Sequence, residues 1–146
     1  MKKIGYINDF DKWRSSFTFY IPITIRFSET DMFGHMSNVS SFIYFEQARI
    51  EFLKAAGVEL NKNSDGLPVV GDLECDYHQQ LYFDDTLYIY VKAHQVGTTS
   101  TDLHYMALNE NKEICLTGRG RLVFVKPDTG SPTPLNDKIK ERFKTL

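Results

Sequence analysis

Glu29, Asp31, His35 and Asn38 lie close together in the chain, and no other stretch gathers so many side chains able to do chemistry. A carboxylate such as Asp31 can attack an electrophilic carbon directly or take a proton from water as a general base. His35 is a candidate proton carrier, and Asn38 can orient a water or a carbonyl oxygen. The cluster runs straight into an apolar-rich stretch that reads as a helix. The first N–H groups of that helix, around Val39, Ser40 and Ser41, carry partial positive charge and can bind a group that becomes an anion. Glu46, farther along the same helix, is a further candidate carboxylate.

Each of these residues also has a plain structural reading. Asp31 suits a turn, and His35 suits a structural place in a loop. Ser37, Asn38 and Ser40 are all candidate N-caps, because their side-chain oxygens can accept from unpaired N–H groups. Glu46 and Arg49, at i,i+3, can simply pair with each other. His78, His94 and His104 occur singly in strand-like segments without paired ligand spacing, so no metal is expected. Arg119, Arg121 and Lys126 are candidate cations for an anionic ligand's phosphates, but a solvated strand face is the default reading for them.

The elements that must position the cluster follow from periodicity. Phe19, Ile21, Ile23, Ile25 and Phe27 alternate with Thr18, Tyr20, Pro22, Thr24 and Arg26, the signature of a strand with one buried face. Pro22 cannot donate to a ladder, which puts that position at an edge or a bulge. Residues 28–39 read as loop. The helix is expected from Ser40 to Ala56, ended by Gly57, with Tyr44, Gln47, Glu51 and Lys54 as its exposed stripe. Glu46 and Arg49 then fall on the face shared with Phe42, Leu53 and Ala56, which otherwise looks buried. Strands are expected over 69–83, from Leu87 to Ala93, over 100–108 and over 113–126, joined by short turns. Residues 1–16 form an extension with no clear period, in which Phe10 and Trp13 are the residues able to dock it. Residues 135–146 are expected to form a tail with a short charged helix. One strand, one long helix and about four antiparallel strands make an α+β fold, a curved sheet wrapped around the helix.

Bulk properties exclude several classes. The 146 residues suit one domain, with 25% charged and 42% apolar residues and a net charge of −2. Nucleic-acid binding calls for clustered Lys and Arg, which this balance does not supply. No apolar run is long enough to span a membrane. Charged residues interrupt the N-terminal stretch, so it does not read as a signal peptide. Cys75 and Cys115 lack C-x-x-C spacing and read as reduced thiols of a cytoplasmic protein.

Thr30-Asp31, Gly34-His35, Asn38 and Phe45-Glu46-Gln47-Ala48-Arg49 together resemble the 4-hydroxybenzoyl-CoA thioesterase branch of the hot-dog superfamily. That branch includes the Tol–Pal-associated acyl-CoA thioesterases. Gly118, Val123-Phe124-Val125 and the proline-rich end resemble the family's last strand and tail, so the match covers roughly residues 17–135. The resemblance implies hydrolysis of an acyl thioester of coenzyme A, without a cofactor, because a thioester is already activated. It implies Asp31 as the catalytic carboxylate, and a homodimer or dimer-of-dimers tetramer with active sites at subunit interfaces. One departure is that the Tol–Pal-associated group usually has histidine at the position of Asn38, whereas here histidine stands three residues earlier. Alternatives are an acyl-ACP thioesterase and a non-catalytic acyl-CoA-binding protein of the same fold. An enoyl-CoA hydratase of the fold would resemble Asp-x-Asn-Pro-x-His, which Asp31-Met-Phe-Gly-His35 does not.

Overall fold

A computed structural model describes residues 2–146. The chain runs α1 (Phe10–Ser15), β1 (Phe19–Thr24), a 3-10 turn (Phe27–Glu29), α2 (Ser40–Ala55), β2 (Leu67–Tyr77), β3 (Thr86–Val96), β4 (Ser100–Leu108), β5 (Ile114–Val125) and α3 (Asp137–Thr145). The five strands form one antiparallel sheet in the order β1-β3-β4-β5-β2. α2 packs on one face through Phe45, Ala48, Phe52 and Leu53 against Leu87, Ile89, Val91, Leu103, Tyr105 and Leu116. This is the hot-dog arrangement, and Pro22 lies, as expected, on an edge strand that pairs only with β3.

The helix ends where Gly57 adopts φ +88°, a backbone state that costs glycine nothing. The Gly57 N–H donates to the Lys54 carbonyl and the Val58 N–H to that of Leu53, both at 3.0 Å, which together satisfy two otherwise unpaired carbonyls.

Expectations for two strands and the helix are corrected. The alternation expected through Phe27 outruns β1, which ends at Thr24; Phe27 is 75% exposed rather than buried because the chain enters the 3-10 turn there. The alternation over 69–83 continues beyond the strand, because β2 stops at Tyr77. Leu81 stays buried for a different reason: its segment leaves the sheet and pairs with the polar loop, the Met36 N–H donating to the Leu81 carbonyl at 2.6 Å. On α2, Tyr44 is buried rather than exposed, because a buried carboxylate accepts from its hydroxyl. Glu46 is exposed, and Arg49 is buried. Arg49 is tolerated inside because its Nη1 donates to the Tyr105 hydroxyl at 3.3 Å.

Phe45 stacks on Tyr105 with ring centroids 4.5 Å apart, at the centre of the core. Gly118 makes room for it: a Cβ there would lie 2.5 Å from Phe45 Cε2 and 2.8 Å from the Glu74 carbonyl oxygen. One of these is backbone, so relaxation is limited. Gly118→Ala is therefore expected to cost about 1–3 kcal/mol, read as a lower urea midpoint at unchanged slope.

The opposite face of the sheet is covered by the N-terminal segment. Ile4, Ile7, Trp13 and Phe17 pack on Met106 and Leu108. Beneath them lies a buried polar network. Trp13 Nε1 donates to His104 Nδ1 at 2.8 Å, and the His104 ring stacks on His94 at 4.1 Å. The other ring nitrogen, Nε2, lies 3.2 Å from Asp102. Lys92 donates to Ser16 Oγ and sits 4.8 Å from the Phe17 ring centroid. No helix among the described residues is long and apolar enough to cross a membrane.

Candidate active site

The loop between β1 and α2 is closed on itself by its backbone. The Asp31 N–H donates to the His35 carbonyl at 2.8 Å, the Gly34 N–H returns to the Asp31 carbonyl at 3.0 Å, and Gly34 takes φ +75° to allow the turn. Asp31 Oδ1 accepts from the N–H groups of Phe33 and His35, at 2.9 and 3.3 Å. Both the turn reading and the chemical reading of Asp31 are thus compatible: one oxygen holds the turn. Its second oxygen has no hydrogen-bond partner among the described residues, and the residue is exposed.

His35 is held by packing. Its ring stacks on Phe33, with centroids 6.1 Å apart, and meets the edge of Tyr82 at 5.2 Å. Phe33 and Tyr82 are themselves largely open, as are Phe27, Met32 and Phe83, so Asp31 stands in a rim of uncovered apolar side chains. Asn38 is exposed. Its carbonyl, rather than its side chain, is the anchored group, accepting from Tyr77 Oη at 2.5 Å and from Ser41 Oγ at 2.8 Å.

None of the three expected N-caps forms. The N-cap residue is Val39, which has no side chain able to cap. Ser40 Oγ is drawn instead to the Glu29 carbonyl at 3.2 Å, and Ser41 Oγ to Asn38 and Tyr77. The Ser40 N–H donates to the Ser37 carbonyl at 3.0 Å and the Phe42 N–H to that of Val39 at 3.2 Å. This leaves the N–H groups of Val39 and Ser41 without a partner among the described residues, as binding an anion or an oxygen that becomes one requires.

Glu46 lies one helical face away from the core, pairing with Arg49 only at 3.9 Å. It shares an exposed stripe with Val39 and Ile43, and Arg49 is its ion-pair partner among the described residues. Arg119 is fully engaged with Asp72, Glu74 and Asp102, so it is not free for phosphates. Neither cysteine is poised as a nucleophile, since burial pushes both thiols up to about 11.

Sequence reading missed Tyr77 and Tyr44. Tyr77 reaches the start of α2 from a strand 36 residues beyond Ser41, and Tyr44 looked like a surface residue by period. No local spacing signals either one.

Comparison with known proteins agrees with the fold. The family model described as the Thioesterase-like superfamily matches residues 25–143. An uncharacterized protein of Bacillus subtilis, YsmA, is 42% identical over 142 residues, 97% of this chain and 96% of its own. A predicted thioesterase from Bacillus stearothermophilus superposes with a TM-score of 0.78 at 31% identity, covering 87% of this chain and 94% of its own. A Thermus thermophilus thioesterase, solved with coenzyme A and zinc, superposes with a TM-score of 0.78 at 26% identity, covering 88% of this chain and 99% of its own.

Proposed function

Since the chain belongs to the thioesterase-like superfamily, we propose that it hydrolyses an acyl thioester of coenzyme A, with Asp31 as the catalytic carboxylate. The observation that carries this reading is the division of labour at Asp31: one oxygen is fixed by two loop amides and the other is unengaged and exposed. A carboxylate held in this way keeps its orientation while one lone-pair face stays available for a water or a thioester carbon. At the uncapped start of α2 the N–H groups of Val39 and Ser41 supply donors for the thioester oxygen as it gains charge, while the Ser40 N–H is held by the Ser37 carbonyl. Asn38 is assigned to orienting the water or the carbonyl, and His35 to shaping the loop wall beside it. Glu46 is assigned a place at the site only in an assembled oligomer. The Thermus relative's complex with coenzyme A supports the choice of thioester.

The reaction needs no cofactor. As a general base, Asp31 takes a proton from the water that adds to the thioester carbon, and the tetrahedral intermediate then expels the sulfur, which leaves as the thiol with that proton. As a nucleophile, the Asp31 carboxylate adds to the same carbon and the C–S bond breaks as the mixed anhydride forms, releasing the thiol; water then cleaves the anhydride to the free acid and restores Asp31.

The uncovered side chains support a homodimer or a dimer of dimers. Val39 and Ile43 on α2, and Val69 and Val70 on the edge strand β2, are all about half exposed. An edge strand with exposed apolar side chains is a ready surface for a second copy. Sedimentation is expected to give at least twice the 16.9 kDa chain mass.

The functional test is release of free thiol from a panel of aliphatic and aromatic acyl-CoAs, with the matching acyl carrier protein thioesters alongside. Turnover of one or more acyl-CoAs is expected. Tight acyl-CoA binding without thiol release would replace the enzyme by a binding protein.

A further inference from the structure

We infer that Glu29 is a positioning residue for the proposed hydrolysis, acting with Tyr44 to lock the loop that carries Asp31 onto the first turn of α2. The inference rests on the thioesterase reading above and extends it to a residue that does not touch substrate. Glu29 is 7% exposed, a rare place for a carboxylate, and such burial is costly unless the charge is met by donors. Those donors are present. Oε1 accepts from the Arg26 N–H at 2.8 Å and from Tyr44 Oη at 3.0 Å, and Oε2 accepts from Arg26 Nη2 at 3.1 Å.

The backbone of the same residue closes the loop. Its carbonyl accepts from the Ser37 N–H at 2.7 Å and from Ser40 Oγ at 3.2 Å. One residue therefore ties together the end of β1, the return of the loop and two successive turns of α2. Asp31 is two residues beyond, inside the loop that this knot closes. Burial alone would raise the Glu29 carboxyl, but the Arg26 amide and guanidinium and the Tyr44 hydroxyl outweigh it and hold the acid below its usual range. The carboxylate is thus charged where the loop works.

Tyr44 directs its hydroxyl at Glu29. It is 2% exposed, on the buried face of the helix. The pair spans 15 residues, so it fixes the angle between loop and helix rather than local turn geometry. A small displacement of a reacting group can lower rate far more than it lowers stability.

The test compares Glu29→Gln and Tyr44→Phe, each alone, together and in an Asp31→Asn background. Each is nearly isosteric, and Tyr44→Phe keeps the question open if Glu29→Gln folds poorly. Expected for Glu29→Gln is a kcat lowered by roughly 10- to 100-fold with KM changed by less than about threefold. Tyr44→Phe is expected to lower kcat in the same manner but less, and the double variant to be no worse than Glu29→Gln. In the Asp31→Asn background neither change should lower the residual rate further. Amide exchange supplies a readout independent of activity: the N–H groups of Asp31, Phe33, His35 and Ser37 should exchange at least about tenfold faster in Glu29→Gln, with β3 and β4 unaltered.

Unaltered kcat and unaltered loop exchange in both variants would overturn the inference. So would a loss of rate that recurs at the same factor in Asp31→Asn. The two failures are separable. If Asp31→Asn turns over like wild type, the proposed catalytic site is wrong. If Asp31→Asn is inactive and Glu29→Gln is not slowed, only the positioning role falls.

Discussion

Asp31→Asn is expected to lower kcat/KM for the preferred acyl-CoA by roughly 10²- to 10⁴-fold, the range that a positioned acid–base group supplies. The substitution is chosen for what it leaves intact. An asparagine side-chain oxygen can still accept from the Phe33 and His35 N–H groups, so the turn survives while the charge and the basic lone pair are removed. The residue is exposed, and the thermal midpoint should therefore move little. Thiol release from wild type and variant, run beside their melting curves, checks both halves. Equal turnover in the two proteins would take the chemistry away from Asp31 and make Glu46 the next carboxylate to replace.

The second large effect is on stability in acid. His104 is buried on the far side of the sheet, with Nδ1 accepting from Trp13 Nε1–H and Nε2 directed at Asp102. This arrangement suits one neutral tautomer: a second ring proton would face the indole donor. Burial, with the charge on His94 also opposing it, pushes the imidazole down to about 3, against a weaker pull from Asp102. Lys92 on β3, His94 on β3, Asp102 on β4, Arg119 on β5 and Tyr6 of the N-terminal segment complete its surroundings.

The sign follows from where the proton prefers to be. The unfolded chain binds it at an ordinary imidazole pKa of about 6.5 and the folded chain does not. The stabilising contribution is therefore whole above pH ~6.5 and is lost as pH falls from there toward the folded value. The slope approaches about 1.4 kcal/mol per pH unit. Glu29, held below its usual range, adds a loss of the same sign at lower pH. Trp13 is the chain's only tryptophan, so its fluorescence reports directly on the docked N-terminal segment. Urea midpoints followed by that emission should fall between pH 7 and pH 5. His104→Gln should be less stable at pH 7 but show a shallower dependence over the same interval. An equally steep dependence in the variant would move the effect to another group.

The sequence by itself determined the elements and the address of the candidate site. Period-2 alternation located β3, and turn residues at Gly97 and Asn109–Lys112 bounded β4 and β5, whereas the alternation at β1 ran on to Phe27, past the strand's end at Thr24. Gly57 ended α2 where the glycine's positive φ was needed. The polar loop holding Asp31, His35 and Asn38 was visible because functional side chains gathered in one loop need no long-range information to be noticed.

Tertiary structure decided the rest. Periodicity assigns faces to a helix but does not say which polar group will find a buried partner. Tyr44 and Arg49 went inside because Glu29 and Tyr105 were there to meet them, and Glu46, without such a partner, stayed out. Ser40, which looked like a cap, turned its hydroxyl to Glu29, and the N–H groups of Val39 and Ser41 stayed open. Alternation at 78–83 outlasted β2 because Leu81 was needed in the core by a loop rather than by a strand. The N-terminal segment, aperiodic in sequence, acquired its place from Trp13 meeting His104, 91 residues away, and from Ile4, Ile7 and Phe17 packing on Met106 and Leu108. For Tyr44, Arg49 and Trp13 the deciding energy was the matching of a buried polar group to a distant partner, and that match exists only once the chain has folded.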